Sequence, residues 1–246
     1  MTDRATAVAT AVRLLSYNVR SLRDDTAALA RVIRACAPDV LCVQEAPRFF
    51  RWRAQAARLA RATGLLHVTG GAPSCGTMIL ASPRARVERA WDTTFPRTPG
   101  RHRRGLATAV LRFPHGERLA VVSCHLSLAA GERLAQGRLT LRHLRAVGVP
   151  AAVLAGDLNE RPRGRTFRLL TGALTDAWAA APEGGEHTFP SRAPDRRIDA
   201  VLCTGVRITS CGVPPPAALP GTRPGDLARA TDHLPVLARL ELSPPG

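Results

Sequence analysis

The 246-residue chain contains no lysine and only two asparagines, Asn18 and Asn159, although arginine and alanine abound. Strongly GC-rich coding replaces lysine by arginine in this way and removes asparagine with it. The two asparagines that persist therefore mark positions where a substitute fails. Aromatic residues make up only 4% of the chain, so stacking on nucleobases is a poor candidate for the main source of binding energy. The six cysteines, at 36, 42, 75, 124, 203 and 211, form no Cys-x-x-Cys pair and no zinc-ligand spacing. Cys42 and Cys124 lie inside apolar runs, where a buried free thiol is the expected state. No run approaches the ~18 apolar residues of a membrane span. The opening MTDRATAVATAVRLLSYNVR carries an early acid and an apolar stretch broken by Arg13, which makes a poor signal peptide, so a reducing cytoplasm is the expected location. A serine-hydrolase elbow, Gly-x-Ser-x-Gly, is also missing.

What the chain does hold is positive charge. Thirty-five basic residues against 19 acidic ones give a formal +16, an excess that coding bias alone does not explain. The bland reading is a solvated arginine surface, and the functional one is a polyanionic partner, either nucleic acid or a phospholipid surface, met by arginine on phosphate. Arginines cluster at 48–61, 97–104 and 161–168. At ~150 residues per domain the length allows one or two domains. No repeat or linker divides it, and the richest Pro/Gly stretch, Gly212–Gly225, lies too near the C-terminus to separate two units. The expectation is a flexible end at 1–11, one domain over 12–242 and a tail at 243–246.

The most informative stretch is Ala151–Pro162, AAVLAGDLNERP. Its apolar start reads as a short strand buried on both faces. Asp157 and Asn159 follow at the strand exit and share a side if the backbone stays extended. A carboxylate beside a neutral amide suits a hydrolase, since the acid can hold water or metal while the amide donates to a phosphoryl oxygen. The bland alternative is that Gly, Asp and Asn merely make a turn.

The remaining strands place similar groups at their ends. Val12–Tyr17 ends at Asn18; Asp24 is the expected cap of a helix carrying Leu29, Val32, Ile33 and Cys36; and 40–43 leads to Gln44-Glu45. An Arg-rich helix over about 48–61 stops near Gly64. Thr77–Ala81 is a further strand, and 106–113 with 119–126 form a hairpin ending in Cys124-His125-Leu126. A helix over about 132–147 leads back to the opening stretch, and the closing third supplies 197–202 and 231–238. The alternation specifies an α/β layered fold. Asn18, Glu45, His125, Asp157, Asn159, Asp199, Asp232 and His233 all fall at strand termini, where ligand sites of such folds gather. Glu45, Asp157 and Asp232 are hard oxygen ligands of the kind Mg²⁺ or Mn²⁺ prefers. Asp232-His233 sets an acid beside an imidazole whose tautomer another acid could fix, as a general base requires.

In order along the chain, Ser16-Tyr17-Asn18, Gln44-Glu45, Arg104-Gly105, Cys124-His125-Leu126, Gly156-Asp157-Leu158-Asn159, Thr188-Phe189-Pro190, Arg197-Ile198-Asp199 and Thr231-Asp232-His233 resemble the motifs of the endonuclease/exonuclease/phosphatase superfamily. The resemblance implies a four-layered α/β sandwich, two central mixed sheets flanked by helices. It also implies Glu45 as principal metal ligand, with Asn18 and Asp232 near the metal. Asp157 and Asn159 would orient the attacking water and the phosphate, and His233 would be the base, supported by Asp199. His125 would stabilise the transition state or protonate the leaving oxygen, and Arg104, with Asn18 and Asn159, would contact the substrate phosphate. Thr231 and Ala200 depart from the family pattern, where Ser and an aromatic are commoner. The activity implied is Mg²⁺- or Mn²⁺-dependent phosphoester hydrolysis, with nucleic acid the first expectation and a small or lipid phosphate the second. A catalytically silent nucleic-acid-binding module is the third reading, and an intact set of acids and histidines speaks against it. No protein partner is implied.

Overall fold

Along Thr10–Asn18, here strand β1, successive side chains face two different apolar environments. Val12 and Leu14 pack among Val40, Cys42, Ala107 and Val153, whereas Leu15 and Tyr17 pack among Leu29, Ile33 and Leu59. A strand buried on both faces needs a sheet on one side and helices on the other, and this pattern builds the whole molecule. The structure, a computed structural model, describes residues 9–244.

After β1 come α1 (Thr26–Cys36), β2 (Val40–Gln44), α2 (Trp52–Thr63), β3 (Leu66–Gly70), β4 (Met78–Ala81), β5 (Arg86–Thr94), β6 (Gly105–Arg112), β7 (Arg118–His125) and α3 (Ala130–Val147). Then follow β8 (Ala152–Asp157), α4 (Arg165–Thr171), β9 (Thr175–Asp176), α5 (Ala177–Ala180), β10 (Asp199–Thr204), β11 (Arg207–Gly212), α6 (Asp226–Ala230) and β12 (Val236–Leu242). One six-stranded sheet runs β11-β12-β1-β2-β4-β3 and the other β5-β6-β7-β8-β10-β9. Their facing sides share one core, α1 and α2 cover the first sheet, and α3 and α4 cover the second. This is the expected four-layered α/β sandwich, and both sheets are mixed. Among the described residues no helix is long and apolar enough to cross a membrane.

The topology explains why polar strand ends converge. At the centre of each sheet lies one parallel pair, β1 with β2 and β7 with β8, so Asn18 sits beside Gln44 and His125 beside Asp157. Strands β10 and β12 run antiparallel to β8 and β1, so their beginnings come to that same end. Asp199 opens β10 opposite Asp157, and Asp232-His233 lie just before β12.

Three local expectations need correction. The cap of α1 is Asp25, which accepts from the backbone N–H of Ala27 and Ala28, while Asp24 pairs with Arg20 at 3.2 Å. The Arg-rich helix begins only at Trp52, with Arg48–Arg51 in the preceding loop. Pairing of Thr10 with Leu242 and Ala11 with Glu241 starts the domain before residue 12, and Met1–Val8, most of the expected flexible end, lie outside the described residues, as do 245–246 of the tail.

Candidate phosphoester site

Gly156 shows how the sequence brings the two tips of the second sheet together. Strands β7 and β8 approach so closely there that a Cβ on residue 156 would lie 1.9 Å from the carbonyl oxygen of Cys124. The glycine therefore serves strand packing and not a turn. The turn comes afterwards: Asn159 has φ +50°, and its backbone N–H donates to Asp157 Oδ1 at 2.8 Å. Asp157 and Asn159 are thus held together by an Asx-type turn, not by continued extension, and asparagine tolerates the left-handed backbone this needs. Asn159 Nδ2 donates to Leu126 O at 2.9 Å, tying the ends of β7 and β8.

A chain of contacts then crosses between the sheets. Asn18 Oδ1 accepts from the backbone N–H of Arg20 at 3.1 Å, which can only donate, so the amide nitrogen must face the other way. That nitrogen lies 3.3 Å from Glu45 Oε1, 3.1 Å from Asp157 Oδ2 and 3.4 Å from His233 Nε2. Asn18 therefore presents a donor nitrogen to three candidate groups, with two hydrogens to share among them, and the oxygen that could ligate a cation is turned to Arg20. Asp232 lies at the rim, paired with Arg20 at 3.4 Å. Beneath the site, Gln44 Nε2 approaches Ser123 Oγ at 3.3 Å, and that hydroxyl donates to Val43 O at 3.1 Å, pinning one sheet to the other.

The two histidines have opposite surroundings. His233 Nδ1 is 2.9 Å from Asp199 Oδ2. An acceptor there holds the proton on Nδ1 and leaves Nε2 open toward Asn18 and Asp157. Burial works to lower the His233 pKa, but the charge and hydrogen bond of Asp199, with Asp157 and Asp232, outweigh it and raise the group to about 9. The Phe189 ring packs on the imidazole, centroids 4.7 Å apart, and Thr188 Oγ1 accepts from the backbone N–H of Asp199 at 3.3 Å. His125 Nδ1 instead receives a hydrogen bond from Arg104 Nη1 at 2.8 Å. Arginine cannot accept, so the His125 proton sits on Nε2, 3.3 Å from Asp157 Oδ2. Burial and the Arg104 charge push the His125 pKa well below its ordinary value. Burial and the neighbouring Asp199 raise the carboxyl of Asp157.

Asp157, Asp199 and His233 each offer an atom within 4.8 Å of the others, a grouping able to hold a metal ion. Apart from imidazole, the ligand atoms in and around it are carboxylate oxygens, including Glu45 and Asp232, and Asp199 Oδ1 is buried with no partner among the described residues. Such a set of hard oxygens with excess negative charge fits Mg²⁺ or Mn²⁺. Arg104 Nε, on the guanidinium that holds His125, is a buried donor without an acceptor among the described residues.

Several residues of this end were missed in the sequence. Arg20 holds both Asn18 and Asp232. An adjoining cleft of about 310 Å³ is lined by Glu45, Arg48, Phe49, His102, Arg104, His125 and Leu128 among others. Phe49 is 77% and Leu128 73% exposed. The low aromatic content concealed that one of the few aromatics stands open beside the acids, a placement that no periodicity announces.

The sequence model of the family described as "Endonuclease/Exonuclease/phosphatase family" matches residues 15–233 of this chain. No curated protein sequence matches it. Among solved structures, an endonuclease/exonuclease/phosphatase from Bacteroides vulgatus superposes with TM-score 0.76 at 22% identity, covering 95% of this chain and 100% of that one. The mannosyl-6-phosphatase of Bacteroides thetaiotaomicron gives TM-score 0.77 at 17% identity, covering 93% and 99%. Truncated TDP2 of Caenorhabditis elegans gives 0.69 at 20%, covering 94% and 97%. At these identities the superpositions establish the fold, and the match of the family model across nearly the whole sandwich establishes descent: the chain belongs to the endonuclease/exonuclease/phosphatase family.

Proposed function

We propose that this family member hydrolyses the phosphodiester bonds of nucleic acid, with the reaction centred on the buried His233–Asp199 pair. The observation that carries the proposal is this dyad, with His233 Nδ1 2.9 Å from Asp199 and Nε2 turned toward Asp157 and Asn18. Glu45 and Asp232, with Asp157, would hold Mg²⁺ or Mn²⁺, which when bound neutralises charge on the phosphoryl oxygens, while the Asn18 amide nitrogen steadies the Glu45 and Asp157 carboxylates as a donor. Water attacks phosphorus and its proton passes to Nε2 of His233 in the neutral form, which a cation held beside Asp157 would favour by offsetting the carboxylate charge that otherwise holds the proton on. Asp199 stabilises the imidazolium that forms. The bond from phosphorus to the leaving oxygen breaks as the new one forms. His125, neutral and with its proton on Nε2, donates a hydrogen bond to the developing charge, and the unpartnered Nε–H of Arg104 does the same. The leaving oxygen takes its proton from solvent. Asn18 and Asn159 are neutral amides that hold the phosphate without adding charge.

Nucleic acid is favoured over a small phosphate by the formal charge of +16. A second reading, hydrolysis of a small phosphorylated metabolite, draws on the mannosyl-6-phosphatase that shares the fold and on the modest volume of the cleft. A panel of plasmid, single-stranded DNA, RNA, a lipid phosphodiester and sugar and inositol phosphates, each with Mg²⁺, Mn²⁺ and chelator, separates the two. Cleavage of nucleic acid is expected. Turnover of a sugar, inositol or lipid phosphate with every nucleic acid left intact sinks the nuclease reading.

A further inference from the structure

A second hollow lies apart from the site above. A groove of about 740 Å³ runs between α1 and α2, and its lining contains five arginines, Arg31, Arg34, Arg51, Arg58 and Arg223, and no acidic residue. Two of the five are spoken for: Arg31 is clamped on Asp226 at 2.7 Å, and Arg34 donates to Ala62 O at 2.8 Å. The carboxylates nearby are committed as well, Asp226 to Arg31 and Arg229, and Asp25 to the start of α1. Among the described residues the guanidinium groups of Arg51, Arg58 and Arg223 have no carboxylate partner, and all three are exposed. Ala30 and Leu59, both buried, give the groove an apolar floor, and Phe50, 85% exposed, stands in its wall.

The groove and the candidate site are bordered by the same two chain segments. Leu22 and Phe50 line the groove, and their chain neighbours Ser21 and Phe49 line the cleft that holds Glu45, Arg104 and His125. Unopposed guanidinium groups, one open aromatic face and an apolar floor are what an unpaired polynucleotide requires: arginine takes the phosphates, and a base stacks on the ring. A small-ligand-sized groove between two helices admits a single strand, whereas a duplex would lie across its mouth. Arg53 lies outside it, with its guanidinium over the Trp52 ring at 4.5 Å, which separates groove arginines from the rest of the Arg-rich helix.

We propose that the α1–α2 groove is a second, non-catalytic subsite that anchors single-stranded nucleic acid several phosphates away from the bond being cut, through Arg51, Arg58 and Arg223. The proposal rests on the nuclease reading for its biological sense. Its test does not depend on turnover.

The experiment measures binding of a labelled 12-nucleotide single strand in chelator across a salt series, for wild type, for Arg51→Gln/Arg58→Gln/Arg223→Gln, and for a charge-matched control, Arg138→Gln/Arg142→Gln/Arg145→Gln, on α3 at the opposite face. With ~0.7 counterion released per phosphate on a single strand, loss of three contacts should reduce the slope of log affinity against log salt by about 2. The control should leave the slope near wild type. Hydrolysis of bis(p-nitrophenyl) phosphate, too short to reach the groove, should keep its kcat in the groove variant. A wild-type slope in the groove variant overturns the proposal, as does an equal loss in the α3 control. Polyglutamate of matched charge binding the groove more tightly than the strand also overturns it, in favour of an acidic protein. If the strand binds through the groove but no nucleic acid is cut under any metal, the nuclease reading fails and the subsite stands. If cutting occurs and the slope is unmoved, the reverse holds.

Discussion

His125 and His233 come from different sheets, end up against the same carboxylate, Asp157, and are driven in opposite directions. His125 meets a guanidinium at 2.8 Å and His233 a carboxylate at 2.9 Å. The same side chain, equally deep, thus gives up its proton more readily beside a guanidinium and holds it more tightly beside a carboxylate. Burial alone would make them alike, because it lowers both pKa values. The charge of the partner sets them apart.

The most damaging way to break the contrast is to remove what both histidines serve. Excess chelator should abolish hydrolysis, and Glu45→Gln should raise the metal concentration needed for half activity more than Asp232→Asn does. Full turnover in chelator, or a wild-type metal titration in Glu45→Gln, contradicts the assignment. Next, His233→Ala should reduce kcat on the order of 10²–10⁴-fold with the circular dichroism spectrum unchanged. Removing the donor on the other side, Arg104→Gln, should cost on the order of 10²-fold on every substrate sequence alike. Loss confined to certain base sequences means that Arg104 reads bases. Asp199→Asn leaves the base in place and loosens its orientation, so a loss of about 10–100-fold is expected. A deeper loss than in His233→Ala reverses the ranking.

The smallest effect sharpens the comparison without chemistry. In metal-free protein, His233 binds its proton more tightly when folded, so its stabilising contribution is whole below about pH 6.5 and is lost as pH rises toward about 9. His125 binds its proton less tightly when folded, so it lowers stability as pH falls below about 6.5. Urea midpoints over pH 5–10 should therefore show a falling alkaline limb that flattens in His233→Ala and an acid limb that softens in His125→Ala. Unchanged limbs in both variants contradict the two environments.

Interior strands were legible in the sequence and edges were not. Strands β1, β2, β4, β6, β7, β8, β10 and β12 coincide with the apolar stretches, and the four that left no mark, β3, β5, β9 and β11, are the edges of the two sheets. Strand β5, RVERAWDTT, contains no buried residue, so it carries neither alternation nor an apolar run. For the candidate site, residue types at strand ends announced Asn18, Asp157, His125, Asp199 and His233 as neighbours, since topology alone brings those ends together. Arg20 and the open face of Phe49 depend on side chains in loops, where no periodicity acts. The orientation of the Asn18 amide was likewise hidden, because it is set by one backbone N–H two residues away.

The hydrogen bond from Asn18 to Asp157 joins the tip of one sheet to the tip of the other. Neither half of the chain owns the site: Glu45 and Asn18 arrive with the first sheet, His125, Asp157 and Asp199 with the second, and His233 on the approach to β12, which closes the first. Catalytic competence then becomes a reporter of the last event in assembly. During refolding, secondary structure should recover before activity does, and the interval between them times the docking of two sheets that could each form earlier on their own.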